Sequence, residues 1–197
     1  MDSDGSGLKI DIPSGAKLAY HEDGVGPAPH RHPHLWRREP AGHVERIVAG
    51  PRERYLDLFL ELTGCLQPPY CLVYVLSVPS VSEPGRYQLE QWLNMEELKA
   101  FLEPYRTFLE GDARHHLWVR SNESSATLVY DKHDLIYAYG PLDCYLEVLG
   151  RHGLEQGEFE LPFPHYHNYF PEFDALEKQI VEGHTWKRTP IVPGVDD

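Results

Sequence analysis

The segment from Tyr70 to Val78 constrains the fold more than any other stretch of the chain. Its centre reads Cys71-Leu72-Val73-Tyr74-Val75-Leu76, apolar at both parities. Successive side chains of a strand point to opposite faces. A strand with this pattern must therefore be covered on both sides, as an interior strand of a layered sheet is. Pro68-Pro69 just ahead of it imposes extended backbone.

The flanking segments predict helices and short strands. Pro51 suits the first position of a helix carrying Tyr55, Leu56, Phe59, Leu60 and Leu62, with Gly64 as its stop. A short strand is expected at Arg86 to Leu89. Asn94 and Glu97 form a capping box for a second helix, whose stripe is Leu98, Phe101, Leu102, Tyr105, Phe108 and Leu109. Pro104 lies off that stripe and reads as a kink facing water. Three closely spaced strands follow at His115 to Arg120, Ala126 to Tyr130 and Leu135 to Tyr139, joined by polar turns. That spacing is the signature of an antiparallel meander. Gly140-Pro141 opens a third helix, and a fourth runs from Pro171 to Glu182.

This order does not alternate strand with helix, so a doubly wound parallel sheet is excluded. The expected fold is α+β: a mostly antiparallel sheet of about four to six strands, including the three-stranded meander at 115–139, flanked by three or four helices. Residues 1–42 are rich in Gly and Pro and show no sustained apolar period. They are expected to form an irregular arm with one short strand near Lys17 to Tyr20. Residues 43–190 are expected to form a single α+β domain, and 191–197 a loose C-terminal tail.

Acidic residues outnumber basic ones 31 to 18, for a formal charge of −13. Such a chain repels a phosphate backbone and an anionic membrane surface, and draws in a basic protein partner. The longest apolar run is too short to cross a bilayer, and no secretory pattern opens the chain. A cytoplasmic location is therefore expected. The cysteines are three, Cys65, Cys71 and Cys144. An odd count without a Cys-x-x-Cys argues against a disulfide framework or a zinc ribbon. Cys71 and Cys144 read as small buried residues.

Phosphate-loop, dinucleotide-binding, His-Glu-x-x-His and Gly-x-Ser-x-Gly patterns are all missing. Histidine is the unusual count, at 12. His30, His32 and His34 alternate, but Pro29 and Pro33 restrict that segment, and a solvated arm is the expected reading. His165 and His167 follow a proline-set stretch and share a side. Joined by Asp131 and His133 from the meander turn, they have the makings of a zinc or non-haem iron centre, for which imidazoles and a carboxylate suffice. Nothing in the sequence brings the two segments together. An aromatic and acidic docking surface is the rival: Tyr130, Tyr137 and Tyr139 on adjacent strands, with Glu103, Glu110 and Asp112 as a negative rim.

The expected function is accordingly a non-enzymatic protein-binding module, of the kind in which an immunity-type inhibitor neutralises a basic partner. A metal-dependent enzyme centred on His165 and His167 is the alternative. A small-molecule-binding sensor domain is a third reading.

Overall fold

The computed structural model describes residues 16–22 and 26–195. In chain order it contains β1 (Leu18–Glu22), β2 (Gly26–Pro29), β3 (Leu35–Ala41), β4 (Val44–Gly50), α1 (Tyr55–Thr63), β5 (Tyr70–Leu76), β6 (Gly85–Leu89), α2 (Met95–Leu102), α3 (Arg106–Gly111), β7 (His115–Ser121), β8 (Ala126–Tyr130), β9 (Ile136–Tyr139), α4 (Leu142–Arg151), β10 (Glu155–Gln156), β11 (His165–His167), α5 (Asp174–Glu182) and β12 (Trp186–Thr189).

The strands form two sheets. Nine build a mixed sheet in the order β10-β3-β4-β9-β8-β7-β5-β6-β12, parallel only between β10 and β3. Three build a small sheet in the order β11-β1-β2. The fold remains α+β, but the expected sheet of four to six strands is corrected to nine plus three. The difference lies in segments without a readable period. The arm at 1–42 supplies β1, β2 and β3, and the short edge strands β10 and β12 close the large sheet at either side. β3 and β4 form a hairpin across Gly42-His43, where Gly42 takes φ 69°. A left-handed residue of this kind is what a two-residue hairpin turn demands. Arg37, Arg38 and Glu39 on β3 hide the strand from any search for alternating apolar residues.

β5 is buried along its entire length, and it lies between β7 and β6 with β7–β8–β9 as the adjoining meander. One face of the sheet meets the helices in the principal core, where Leu72, Tyr74, Leu117, Leu128 and Ile136 pack against Leu56, Phe59, Leu98, Phe108, Leu149 and Ile180. Among the described residues the other face carries two small apolar clusters, around Val48 and around Val73.

Two helix boundaries are corrected as well. α1 begins at Tyr55 and not at Pro51, because Arg54 stands at its N-cap with φ 59° and no helix passes through that conformation. Pro104 breaks the second helix: α2 ends at Leu102, a 3-10 turn spans Glu103–Tyr105, and α3 starts at Arg106. Proline removes a backbone donor and clashes with the preceding turn even on the solvent side. The Asn94–Glu97 capping box is present, with Glu97 N–H donating to Asn94 Oδ1 at 3.0 Å and Asn94 N–H to Glu97 Oε2 at 2.8 Å.

Cys65 and Cys144 form a disulfide that ties the end of α1 to α4, leaving Cys71 as the free, buried cysteine. The odd count concealed a pair plus one. Disulfides persist mainly in oxidising compartments, so cysteine usage gives no support to a cytoplasmic location. No helix among the described residues is long and apolar enough to cross a membrane.

Candidate metal centre

Residues 131–135 form the tight connection between β8 and β9. Asp131 builds it with its own side chain: Oδ1 accepts the backbone N–H groups of His133 at 2.8 Å and Leu135 at 2.9 Å. Aspartate stabilises turns in this manner because its short carboxylate reaches the backbone two residues on. Asp134 completes the turn at φ 60°, a conformation Asp tolerates better than most residues. The other carboxylate oxygen, Asp131 Oδ2, meets His133 Nδ1 at 2.8 Å. Burial pushes the Asp131 carboxyl up, but the His133 side chain, the nearby His116 and the Leu135 amide together hold it below the ordinary carboxylate value. It is ionised, and an ionised carboxylate only accepts. His133 therefore donates from Nδ1, which leaves Nε2 as the ring nitrogen available to a ligand.

β11 supplies the other two imidazoles. His165 and His167 stand two residues apart and face one side, as strand geometry requires. β11 pairs with β1 in the register Leu18 to His167 and Tyr20 to His165. His165 Nδ1 donates to the Pro162 carbonyl at 2.8 Å, which again leaves Nε2 with its lone pair. His167 Nε2 is buried and has no hydrogen-bond partner among the described residues. Burial, followed by the nearby His133, lowers the His167 imidazole to about 4, so it is neutral at physiological pH.

The three rings converge. Ring centroids lie 5.6 Å apart for His133 and His165, 5.0 Å for His133 and His167, and 5.2 Å for His165 and His167. One ring nitrogen from each falls within 4.8 Å of the others. Tetrahedral ligands at about 2.05 Å from zinc stand about 3.3 Å apart, so ligation draws the rings inward by a small rotation. All three side chains are half-buried.

The cluster lies at the seam of the two sheets, and Lys17 fastens that seam. Lys17 is wholly buried beside β1. Its ammonium donates to the Asp131 carbonyl at 3.1 Å, stands 3.6 Å from Asp134 Oδ1 and lies 3.7 Å above the Tyr130 ring. Tyr130 in turn donates to Asp134 Oδ1 at 2.6 Å. Burial raises the Asp134 carboxyl to about 6, with Lys17 and the Tyr130 hydroxyl opposing. Beyond β11, Asn168 N–H donates to the Lys17 carbonyl at 2.8 Å. His32, buried, bonds the His133 carbonyl through Nε2 at 2.7 Å, and its Nδ1 lies 3.4 Å from His30 Nε2. His34 turns away to the His152 carbonyl. The alternating histidines of the arm thus do not form a centre of their own.

All four residues singled out from the sequence meet here: His133, His165 and His167 as the ring cluster, and Asp131 behind His133. The aromatic and acidic set is scattered. Tyr130 is buried under Lys17, and Asp112 is buried against Arg114, so neither can meet a partner. Their burial follows from strand parity in the first case and from pairing with a buried guanidinium in the second. Glu103 is exposed and paired with Arg106, and Glu110 accepts the Leu56 N–H at 2.7 Å. Tyr137 and Tyr139 face the sheet surface opposite the helices, beneath Arg46. The sequence assigns Lys17 and Asp134 no part in the site, and it places His32 in a solvated arm, whereas the structure buries it. Comparison with protein families, with curated proteins and with solved structures returned no match.

Proposed function

We propose that this chain is a metal-dependent enzyme with a three-imidazole zinc centre at His133, His165 and His167. The observation that carries the reading is the convergence of three imidazoles, two of which have their other ring nitrogen bonded to a carboxylate or a carbonyl. Ligating histidines nearly always donate their second N–H to such groups, which fixes the ring and the tautomer. Three histidines satisfy three positions of a tetrahedral zinc and leave the fourth to water or substrate. A zinc ion so held acts as a Lewis acid and lowers the pKa of its water toward neutrality. The reaction class that fits is metal-assisted hydrolysis or hydration. Asp131 serves as a positioning residue: it orients His133 and raises its basicity.

The test is stoichiometric. Protein purified without a polyhistidine tag, stripped with chelator and dialysed against zinc, is expected to retain about one equivalent by elemental analysis, since a functional site needs near-full occupancy. The cobalt form is expected to show a tetrahedral visible spectrum. The His165→Ala/His167→Ala variant is expected to hold less than about a tenth of an equivalent under the same criterion. Wild-type protein at that low level would sink the proposal. Asp131→Asn keeps an oxygen for the turn amides but presents an NH2 group to His133. It is expected to weaken zinc binding roughly 10- to 100-fold without unfolding the chain.

A further inference from the structure

The small sheet ends on β11, and the direction of that strand's backbone groups follows from register. Lys17 and Asn168 continue the antiparallel pairing of β1 with β11, and Asn168 N–H donates to the Lys17 carbonyl at 2.8 Å. In an antiparallel ladder, pairs that exchange hydrogen bonds alternate with pairs that do not. Ala19 and Tyr166 are therefore a bonded pair, whereas Leu18 with His167 and Tyr20 with His165 are not. Leu18 bears out the alternation, because its carbonyl turns the other way to accept the His30 N–H at 2.9 Å. The backbone N–H and C=O groups of His165 and His167 thus point out from the edge, where β11 has no neighbouring strand among the described residues. The open edge belongs to two of the three clustered imidazoles.

The other sheet edges are defended. A strand edge recruits further strands unless prolines, charges or extreme shortness prevent it. On β2 the same alternation turns Pro27 and Pro29 outward, and neither has an N–H to offer. β12 carries Lys187 and Arg188, and β10 is two residues long. β11 is short, at three residues, but holds no proline and no Lys, Arg, Asp or Glu. Phe163, 94% exposed, and Tyr169, 43% exposed, flank its two ends with apolar surface. Charge selects the partner. The chain carries −13 overall, and Glu158 and Glu160 stand exposed in the segment that leads into β11.

We infer that the open edge of β11 takes an extended basic peptide by strand addition, and that a peptide bond of the added strand is what the metal centre hydrolyses. In this mode main-chain hydrogen bonds supply the affinity and alternate side chains the specificity. The added strand runs about 4.8 Å from β11, paired with the very residues that carry the ligand rings. Hydrolysis adds one water across a C–N bond: the carbonyl carbon gains the hydroxyl, the nitrogen gains the proton, and a carboxylic acid and an amine result. The inference names the substrate class of the proposed centre and rests on that reading for cleavage alone, since binding to the edge needs no ion.

Titration with acetyl-Lys-Val-Lys-Val-Lys-Val-Lys-amide, followed by NMR of the isotope-labelled chain, tests it on chelator-stripped and on zinc-loaded protein. In the stripped form the amide signals of His165 and His167 are expected to move, and that of Tyr166, which faces Ala19, to stay. The same peptide N-methylated at every amide keeps its charge and side chains but has no backbone donor. It is expected to bind roughly tenfold more weakly, as the loss of two hydrogen bonds implies. Glu158→Gln/Glu160→Gln is expected to weaken binding roughly threefold. In stripped protein His165→Pro, which removes an outward N–H, is expected to lose more affinity than His165→Ala, which keeps it. The zinc-loaded protein is expected to cleave the peptide, read by mass spectrometry, and the stripped protein to leave it whole. Donor-dependent binding by a chain that retains no zinc supports the edge and counts against the metal centre. Such binding by zinc-loaded protein without cleavage overturns the peptide as substrate while the ion stands. No binding, or equal affinity for the methylated peptide, overturns the edge whatever the zinc content, and an unchanged affinity in the double Gln variant overturns the basic preference.

Discussion

Two buried ionic clusters adjoin the segment that carries the histidine strand, and they are built differently. Past the C-terminal end of β11, where Phe170 joins the cluster, Arg114 is saturated. Its guanidinium donates to Asp112 at 2.8 and 3.0 Å, to Glu177 at 2.6 Å, to Asp174 at 2.9 Å and to the Phe170 carbonyl at 3.0 Å. Asp112 also accepts the Phe170 N–H, and Glu177 the N–H groups of Ser80, Val81 and Ser82. Beside β1, Lys17 has one carboxylate at 3.6 Å, one carbonyl and one ring. The planar fork of arginine satisfies several acceptors at fixed angles, whereas an ammonium is a point charge. The lesson is that the first cluster is a rigid anchor and the second a protonation-sensitive joint. Burial pushes the Asp134 carboxyl up, while the amides and Arg114 hold Glu177 below its ordinary value against the effect of burial.

Removing each cation should separate them most sharply. Arg114→Met strands two fully buried carboxylates and is expected to cost about 3–5 kcal/mol in urea denaturation. Lys17→Met strands Asp134 alone, which can take up a proton and keep its bond from Tyr130. The expected cost is about 1–3 kcal/mol at neutral pH. Equal losses would break the distinction.

The pH dependence differs in sign. The folded Asp134 value, about 6, lies above the ordinary 3.8. Its contribution is full below 3.8 and is lost as pH rises through about 6, because the unfolded chain releases that proton first. Glu177 runs the other way: its contribution is present above the ordinary 4.5 and is lost on acidification. Urea midpoints at pH 5 and pH 7 are expected to converge in Asp134→Asn relative to wild type, after allowance for the histidines. His116, lowered by burial to about 4, works against Asp134 in that window, since the unfolded chain binds its proton first as pH falls. The smallest effect is expected from His34→Gln, whose lost bond to the His152 carbonyl lies away from the cluster. It should cost about 0.5–1.5 kcal/mol and leave zinc stoichiometry intact.

Much of the helical side was legible from residue pattern. β5, the meander and the Asn94 capping box are local signals, set by parity, turn chemistry and spacing. The hairpin of β3 and β4 was not, because its outer strand is stabilised by ion pairs such as Arg46 with Glu39 rather than by an apolar face. β10 and β12 are too short to carry any period. The four residues of the candidate centre were readable as chemistry, but their meeting depends on β1 joining β11, and pairing between strands so distant along the chain leaves no local trace. Lys17 was invisible for a related reason: a buried lysine is recognisable only once its partners at 131 and 134 stand beside it.

The disulfide has a topological consequence for the centre. Cys65 and Cys144, 79 residues apart, close a covalent ring that contains Asp131 and His133, whereas His165 and His167 lie on the thread beyond it. An ion gripped by all three imidazoles would act as a second clasp, stitching that thread onto the ring. Stripping it should loosen the thread while the ring keeps its shape, a separation that hydrogen exchange can follow amide by amide.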